Sequence, residues 1–187
     1  MMKRRHFLWL GVMILFLYAA AVIRPAFEGI RTCGDSDESL EAFLEKFQQR
    51  EVELLKVAET GHVKAVFYER EDLGTCIAFF DRRLFGLRWY YDGMDTLVDG
   101  GLQMEGSWRE RGILGSQCEI VICGDNRSGA IGSYVLQDEP SIAREGLEAD
   151  FILDIYILDG TEHRDLVRMR SSLQQFAPDG SEFIRKD

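Results

Sequence analysis

The feature that most constrains this chain is at its start. Lys3-Arg4-Arg5 is followed by an uncharged apolar run from Phe7 to Ile23, closed by Arg24-Pro25. At about 1.5 Å rise per residue this run is roughly 26 Å long, the low end for a helix crossing a hydrocarbon core. Trp9 and Tyr18 sit near its two ends, where amphipathic rings favour the headgroup region. The basic cluster holds the N-terminus in the cytoplasm, so everything after about residue 25 is expected outside. Two readings fit the segment. An uncleaved single-pass anchor uses the whole run Phe7–Ile23 to enter the lipid bilayer. A cleaved signal peptide uses Phe7–Tyr18 and the small residues Ala19-Ala20-Ala21, releasing a secreted domain after cleavage near Ala21. Arg31 two residues before Cys33 argues against a lipid-modified cysteine.

Charge divides the chain at the same place. Residues 1–24 hold Lys3, Arg4, Arg5 and Arg24 and no acid, which leaves 18 of the 22 basic residues against all 32 acidic ones, a net charge of −14. Such a surface repels nucleic acid and anionic headgroups, so no nucleic-acid partner is expected and the domain is read as standing clear of the bilayer. The remaining length suffices for one domain with its own core. The organisation is therefore 1–24 cytoplasmic tip and anchor, 25–36 linker, and 37–187 exported domain.

Within that domain Asp35 and Glu38 read as a capping box, and Leu40, Phe43, Leu44, Phe47, Leu54, Leu55 and Ala58 recur at helical spacing up to Gly61. This predicts one amphipathic helix over about 37–59. From residue 62 the pattern alternates. Strands are expected at 62–70, 75–81, 84–91, 101–108, 117–123, 130–137 and 149–158, with further strand segments at 166–169, 173–176 and 183–184. Asp-Gly pairs at 92–93, 99–100, 159–160 and 179–180 supply tight turns, and 125–129 is a further turn. Residues 138–146 read as a loop. The expected fold class is α+β: an N-terminal transmembrane helix, then one long amphipathic helix packed on a curved antiparallel β-sheet built from hairpins.

Phe67-Tyr68, Cys76-Ile77-Ala78-Phe79, Leu84-Phe85-Gly86-Leu87-Arg88-Trp89 and Gly124-Asp125-Asn126 before Ile131-Gly132-Ser133-Tyr134 carry a resemblance. Residues about 62–137 resemble small uncharacterised membrane-anchored proteins of Gram-positive bacteria. The resemblance implies a place in the cell envelope and no activity.

Motifs for chemistry fail one by one. The histidines, His6, His62 and His163, lack the spacing of a zinc helix. Asp35, Asp37 and Ser39 begin like a calcium loop, but Leu40 stands where Gly is needed and Lys46 where the bidentate Glu belongs. No nucleophile elbow, Ser-x-x-Lys, phosphate loop or Cys-x-x-Cys occurs. No metal, cofactor or catalytic residue is assigned. Three features stay open. Strand carboxylates Asp81, Asp92, Glu119 and Asp154 suit acid–base work if folding unites two of them. Among the aromatic residues, Trp89, Tyr90 and Tyr91 must alternate faces, so they are candidates for a contact patch. Cys76, Cys118 and Cys123 are candidate disulfide partners, although Cys118 and Cys123 point to opposite faces of one strand and cannot bond each other. These features point to a membrane-anchored extracytoplasmic binding or interaction module with an envelope protein or glycan partner. The alternative is an extracytoplasmic hydrolase using the strand carboxylates.

Overall fold

The computed structural model describes residue 13 and residues 31–83, 88–97, 101–110, 116–137, 141–160 and 165–183. The expected span Phe7–Ile23 lies outside these apart from Met13. Among the described residues no helix is long and apolar enough to cross a membrane.

The long amphipathic helix does not form. Helix α1 is Asp37–Gln48 and ends at Gln49, which takes the left-handed conformation at φ 55°. Strand β2, Val52–Thr60, comes directly after it. The sequence misled for a physical reason. A β-bulge between Leu54 and Lys56 puts Leu55 and Lys56 on the same face of β2, so Leu54 and Val57 face α1 while Leu55 and Ala58 face the second sheet. One inserted residue turns strict alternation into a spacing that imitates a helix. Gly61, expected to stop the helix, makes the turn between β2 and the next strand at φ 54°. The cap is also displaced. Ser36 is the N-cap, its hydroxyl accepting from the Ser39 N–H, while the Asp35 carboxylate faces the sheet.

The strands are β1 Thr32–Cys33, β2, β3 Val63–Arg70, β4 Gly74–Arg83, β5 Arg88–Thr96, β6 Gly101–Glu110 and β7 Ser116–Asp125. Then come β8 Ser133–Leu136, β9 Ile142–Glu145, β10 Phe151–Gly160 and β11 Leu173–Phe176, with a second helix α2 at Leu166–Ser171. β1 lies in the stretch read as linker and pairs with Trp89 and Tyr90 of β5. All pairings are antiparallel, as the short connections require. Among the described residues they make three sheets rather than one curved sheet, ordered β1-β5-β4-β3-β2, β10-β7-β6 and β11-β8-β9. Residues 166–169, expected as strand, form α2, which Asp165 caps by accepting from Val167 and Arg168 N–H. Part of the expected loop 138–146 is strand β9. Among the described residues the protein is thus mainly β, with two short helices, and the α+β reading is corrected.

Period-two alternation sets the layering. On the first sheet Val66, Tyr68, Cys76, Ala78, Phe80, Trp89 and Tyr91 face α1, meeting the fully buried Leu40 and Leu44. Truncating either leucine to alanine costs about 2–5 kcal/mol. Ala65, Phe67 and Ile77 point the other way and pack on Val121, Cys123 and Leu153 of the second sheet. That sheet's far face, with Met104, Ile120, Ile122 and Ile152, packs on Tyr134, Leu136 and Met169 of the third sheet and α2. The centre is a β-sandwich with further cover on both outer faces.

Candidate functional site

The two central sheets meet closely at one edge. Lys56 of β2 donates to the Phe151 carbonyl of β10 at 2.6 Å, and Ile155 packs beside it in the shared core. At the opposite edge, near β5 and β6, inward positions carry acids instead of aliphatics, and the sheets part. Asp92, Asp95 and Glu105 keep contact with solvent here, since carboxylates facing a second sheet cost much to bury dry, and this edge stays open. The result is a cleft of about 370 Å³ lined by Asp81, Asp92, Asp95, Glu105 and Glu119, over an apolar wall that includes Val63, Phe79 and Val121.

Register and one bulge bring these carboxylates to the cleft. Asp81 lies opposite Val63 in the β3–β4 ladder. Asp92 is the extra residue of a bulge, because Phe79 pairs with Gly93 and Phe80 with Tyr91. Bulges of this kind bend a strand and re-aim a side chain. Asp92-Gly93 is therefore a bulge inside β5 and not the hairpin turn its sequence suggests. Glu119, only 1% exposed, shares the inward face of β7 with Val121. Glu105 on β6 accepts from Arg170 Nη2 at 2.8 Å, and Arg170 Nε donates to the Met104 carbonyl at 3.0 Å. Arg170 is the one cation among the described lining residues. It arrives from α2, which lies close to β6 at Gly106: a Cβ there would sit 2.9 Å from Leu166 Cδ2.

No family model, curated protein or solved structure matches this chain. Function must be read from the site alone.

Of the four carboxylates singled out in the sequence, folding unites Asp81, Asp92 and Glu119. Asp154 stands on the other face of the second sheet. It accepts from Tyr134 Oη at 2.7 Å and forms an ion pair with Arg144, and the Tyr134 and Tyr156 hydroxyls lie 2.6 Å apart. Burial pushes the Tyr134 hydroxyl well above the usual phenol range. This network ties the third sheet to β10. Sequence reasoning missed Asp95, Glu105 and Arg170. Same-face alternation from Glu105 and Glu119 across β6 and β7 is the signal that a paired register would have exposed.

The aromatic trio does not form one surface. Trp89 is 2% exposed, with its indole N–H donating to Asp35 at 2.6 Å and Lys64 and Arg82 over its ring at 4.6 and 5.2 Å. Tyr91 is buried against Phe43, Phe47 and Phe80. Tyr90 is half-buried and accepts from Arg31 at 3.3 Å.

The cysteines are buried thiols, and none is in a disulfide. Cys76, Cys118 and Cys123 belong to three different core clusters, and Cys118 and Cys123 do face opposite ways. Among the described residues no group of His, Cys, Asp or Glu is arranged to hold a metal ion. His62 immediately precedes β3 with its Nδ1 buried and unpaired, whereas His6 and His163 lie outside the described residues. The Asn126 amide donates inward to the Ile131 carbonyl at 3.0 Å and is 3% exposed, so Asn126 locks the turn at 125–129.

Proposed function

We propose that this protein is a single-pass, membrane-anchored binding module of the bacterial cell envelope, with its domain outside the cytoplasmic membrane. The cleft between the two central sheets takes its ligand. The basic cluster Lys3-Arg4-Arg5 before Phe7–Ile23 supports the attachment and orientation. The cleft is the single observation that carries the binding role. Its volume falls within the range of small-molecule sites, and it combines an apolar wall with convergent polar groups. Five carboxylates against one arginine select a ligand that donates hydrogen bonds or carries positive charge. An amine- or hydroxyl-bearing glycan segment has that chemistry, with donors for the carboxylates and an apolar ring face for Phe79.

Calorimetric titration of the full chain in neutral nanodiscs with amino sugars and their N-acetylated counterparts tests this. Binding of the amino form is expected to weaken roughly tenfold or more in Glu119→Gln and Asp92→Asn, the size of one lost charge-assisted hydrogen bond. No binding to a folded chain, or binding indifferent to both substitutions, would sink the cleft as the site.

One observation favours a second reading. Asp81, Asp92 and Glu119 share the cleft, which is the arrangement an extracytoplasmic hydrolase would need for acid–base work on a glycosidic bond. Release of new reducing ends from a bound glycan, lost in Glu119→Gln while binding survives, would select the hydrolase. Binding without turnover selects the module. The location has its own alternative, secretion after cleavage near Ala21, which a mass lacking residues 1–21 in the medium would establish.

A further inference from the structure

Several cations of the domain are matched by carboxylates: Lys64 with Asp35 and Glu59, Arg70 with Asp72, Arg127 with Asp125, and Arg144 with Asp154. Lys46 of α1 and Arg88 of β5 are not. Both are exposed, neither has a carboxylate partner among the described residues, and both line one hollow of about 420 Å³. Its other walls are β1, at Thr32 and Cys33, and the α1 residues Phe43 and Phe47. Phe47 remains 40% exposed although its ring lies 4.5 Å from Tyr91 and 5.7 Å from Phe43. The acids of α1, Glu41 and Glu45, do not line the hollow.

Two unmatched cations around an exposed aromatic ring are unusual in a domain with a net charge of −14. Net charge argues against contact with anionic headgroups, but beyond a Debye length of about 8–10 Å it is largely screened, so the local grouping decides. The hollow also stands where the chain enters the domain. From Ile23 to Arg31 the backbone spans at most roughly 29 Å when fully extended. A bilayer holding Phe7–Ile23 is within that reach of β1.

We propose that this hollow docks on the phosphate headgroups of anionic phospholipid in the anchoring membrane. Lys46 and Arg88 meet the phosphates, and Phe47 enters the boundary between headgroups and acyl chains. The proposal rests on the membrane attachment proposed above and adds a second contact that fixes the domain's orientation. The carboxylate cleft lies between the first and second sheets and is not part of this face.

The test uses the full chain with vesicles of phosphatidylcholine alone and of phosphatidylcholine with about one third phosphatidylglycerol. Flotation reports attachment, and amide exchange across Asp37–Gln48 reports docking, with Leu166–Ser171 as internal reference. Exchange in α1 is expected to slow roughly fivefold or more on the anionic vesicles alone. The double substitution Lys46→Glu/Arg88→Glu abolishes that protection, and Lys46→Gln/Arg88→Gln reduces it, with circular dichroism confirming that both fold. Flotation on both vesicles with identical α1 exchange overturns the docking and leaves attachment standing. Absence of flotation overturns attachment, and α1 exchange in the same suspensions then decides docking separately. Protection reproduced by inorganic phosphate beside neutral vesicles overturns lipid as the occupant.

Discussion

The side-chain amide of Gln175 pairs with the backbone of Leu102 as another strand would, accepting from its N–H at 2.9 Å and donating to its C=O at 3.0 Å. Leu102 belongs to β6, the last strand of the second sheet, whose outer side would otherwise offer unpaired backbone groups to another chain. Arg170 covers the next carbonyl but one, Met104. Two side chains from the α2–β11 segment therefore close a sheet edge and hold one wall of the cleft.

Replacing Gln175 by alanine strips Leu102 of both partners at a site that is 8% exposed. The expected cost is about 1–3 kcal/mol, read as a Tm lower by roughly 2–4 °C for each kcal/mol. Gln175→Glu retains the acceptor and loses the donor, so it should fall between. Size-exclusion with light scattering should show concentration-dependent association of the alanine variant. An unchanged Tm and a strictly monomeric variant would show that the edge needs no cover.

Hairpins were legible in the sequence because alternation and turn glycines report the same thing, and strands β3, β4, β6 and β7 lie close to their expected positions. Two of the failures share a cause. The bulges at Leu55 and Asp92 insert a residue, and neither periodicity nor an Asp-Gly pair distinguishes an insertion from a helix or a turn. Segment 166–169 is too short for its period to decide between strand and helix. The cleft was half legible. Asp81, Asp92 and Glu119 stood out as strand acids, but their convergence depends on how two sheets stack, which no local pattern contains.

Gly132 is expected to tolerate no side chain. A Cβ there would lie 2.5 Å from Pro178 Cα and 2.8 Å from its nitrogen, and backbone cannot yield as a side-chain tip can. Gly132 also donates to the Phe176 carbonyl at 2.8 Å and accepts from Leu147 N–H at 3.0 Å. Gly132→Ala should cost about 1–3 kcal/mol in chemical denaturation. Gly93→Ala is the control, since nothing stands within 4 Å of that Cβ. Equal stability of the two variants would contradict the packing.

The thiols should be silent in the native state. Burial pushes Cys33 up to about 11 and Cys123 up to about 12 from 9.0, with Lys64 opposing the rise at Cys33. A thiol reagent at pH 8 should find no reactive cysteine in the folded chain and all four after denaturation. Because the folded values are raised, each thiol contributes stability that is fully present below about pH 9 and is lost as pH rises through 11 to 12. Burial raises Tyr68 in the same direction. The denaturation midpoint should therefore hold steady from neutral pH to about 9 and decline above it. A rapid native reaction at any cysteine would mean that its cluster opens.

Asp35 should make the entry of the chain sensitive to acid. Its Oδ1 accepts from Trp89 Nε1 at 2.6 Å and from Lys64 Nζ at 3.0 Å. The Trp89 hydrogen bond first, and Lys64 second, hold its carboxyl below the usual 3.8. Lys64 is 2% exposed, so protonating Asp35 leaves its buried ammonium with one carboxylate among the described residues, Glu59 at 2.9 Å. A depressed folded value means that the contribution is present above about pH 4 and is lost as pH falls through the folded value. Asp35→Asn should melt below the parent at pH 7, and the gap should close as pH drops below about 4, where the parent also loses its charge. Trp89 fluorescence would follow the same event locally, through release of the indole N–H. A gap that stays constant from pH 7 to pH 3 would assign the loss to packing of the substituted amide instead of to the carboxylate's charge, and the first strand would then be held by its ladder to β5 alone.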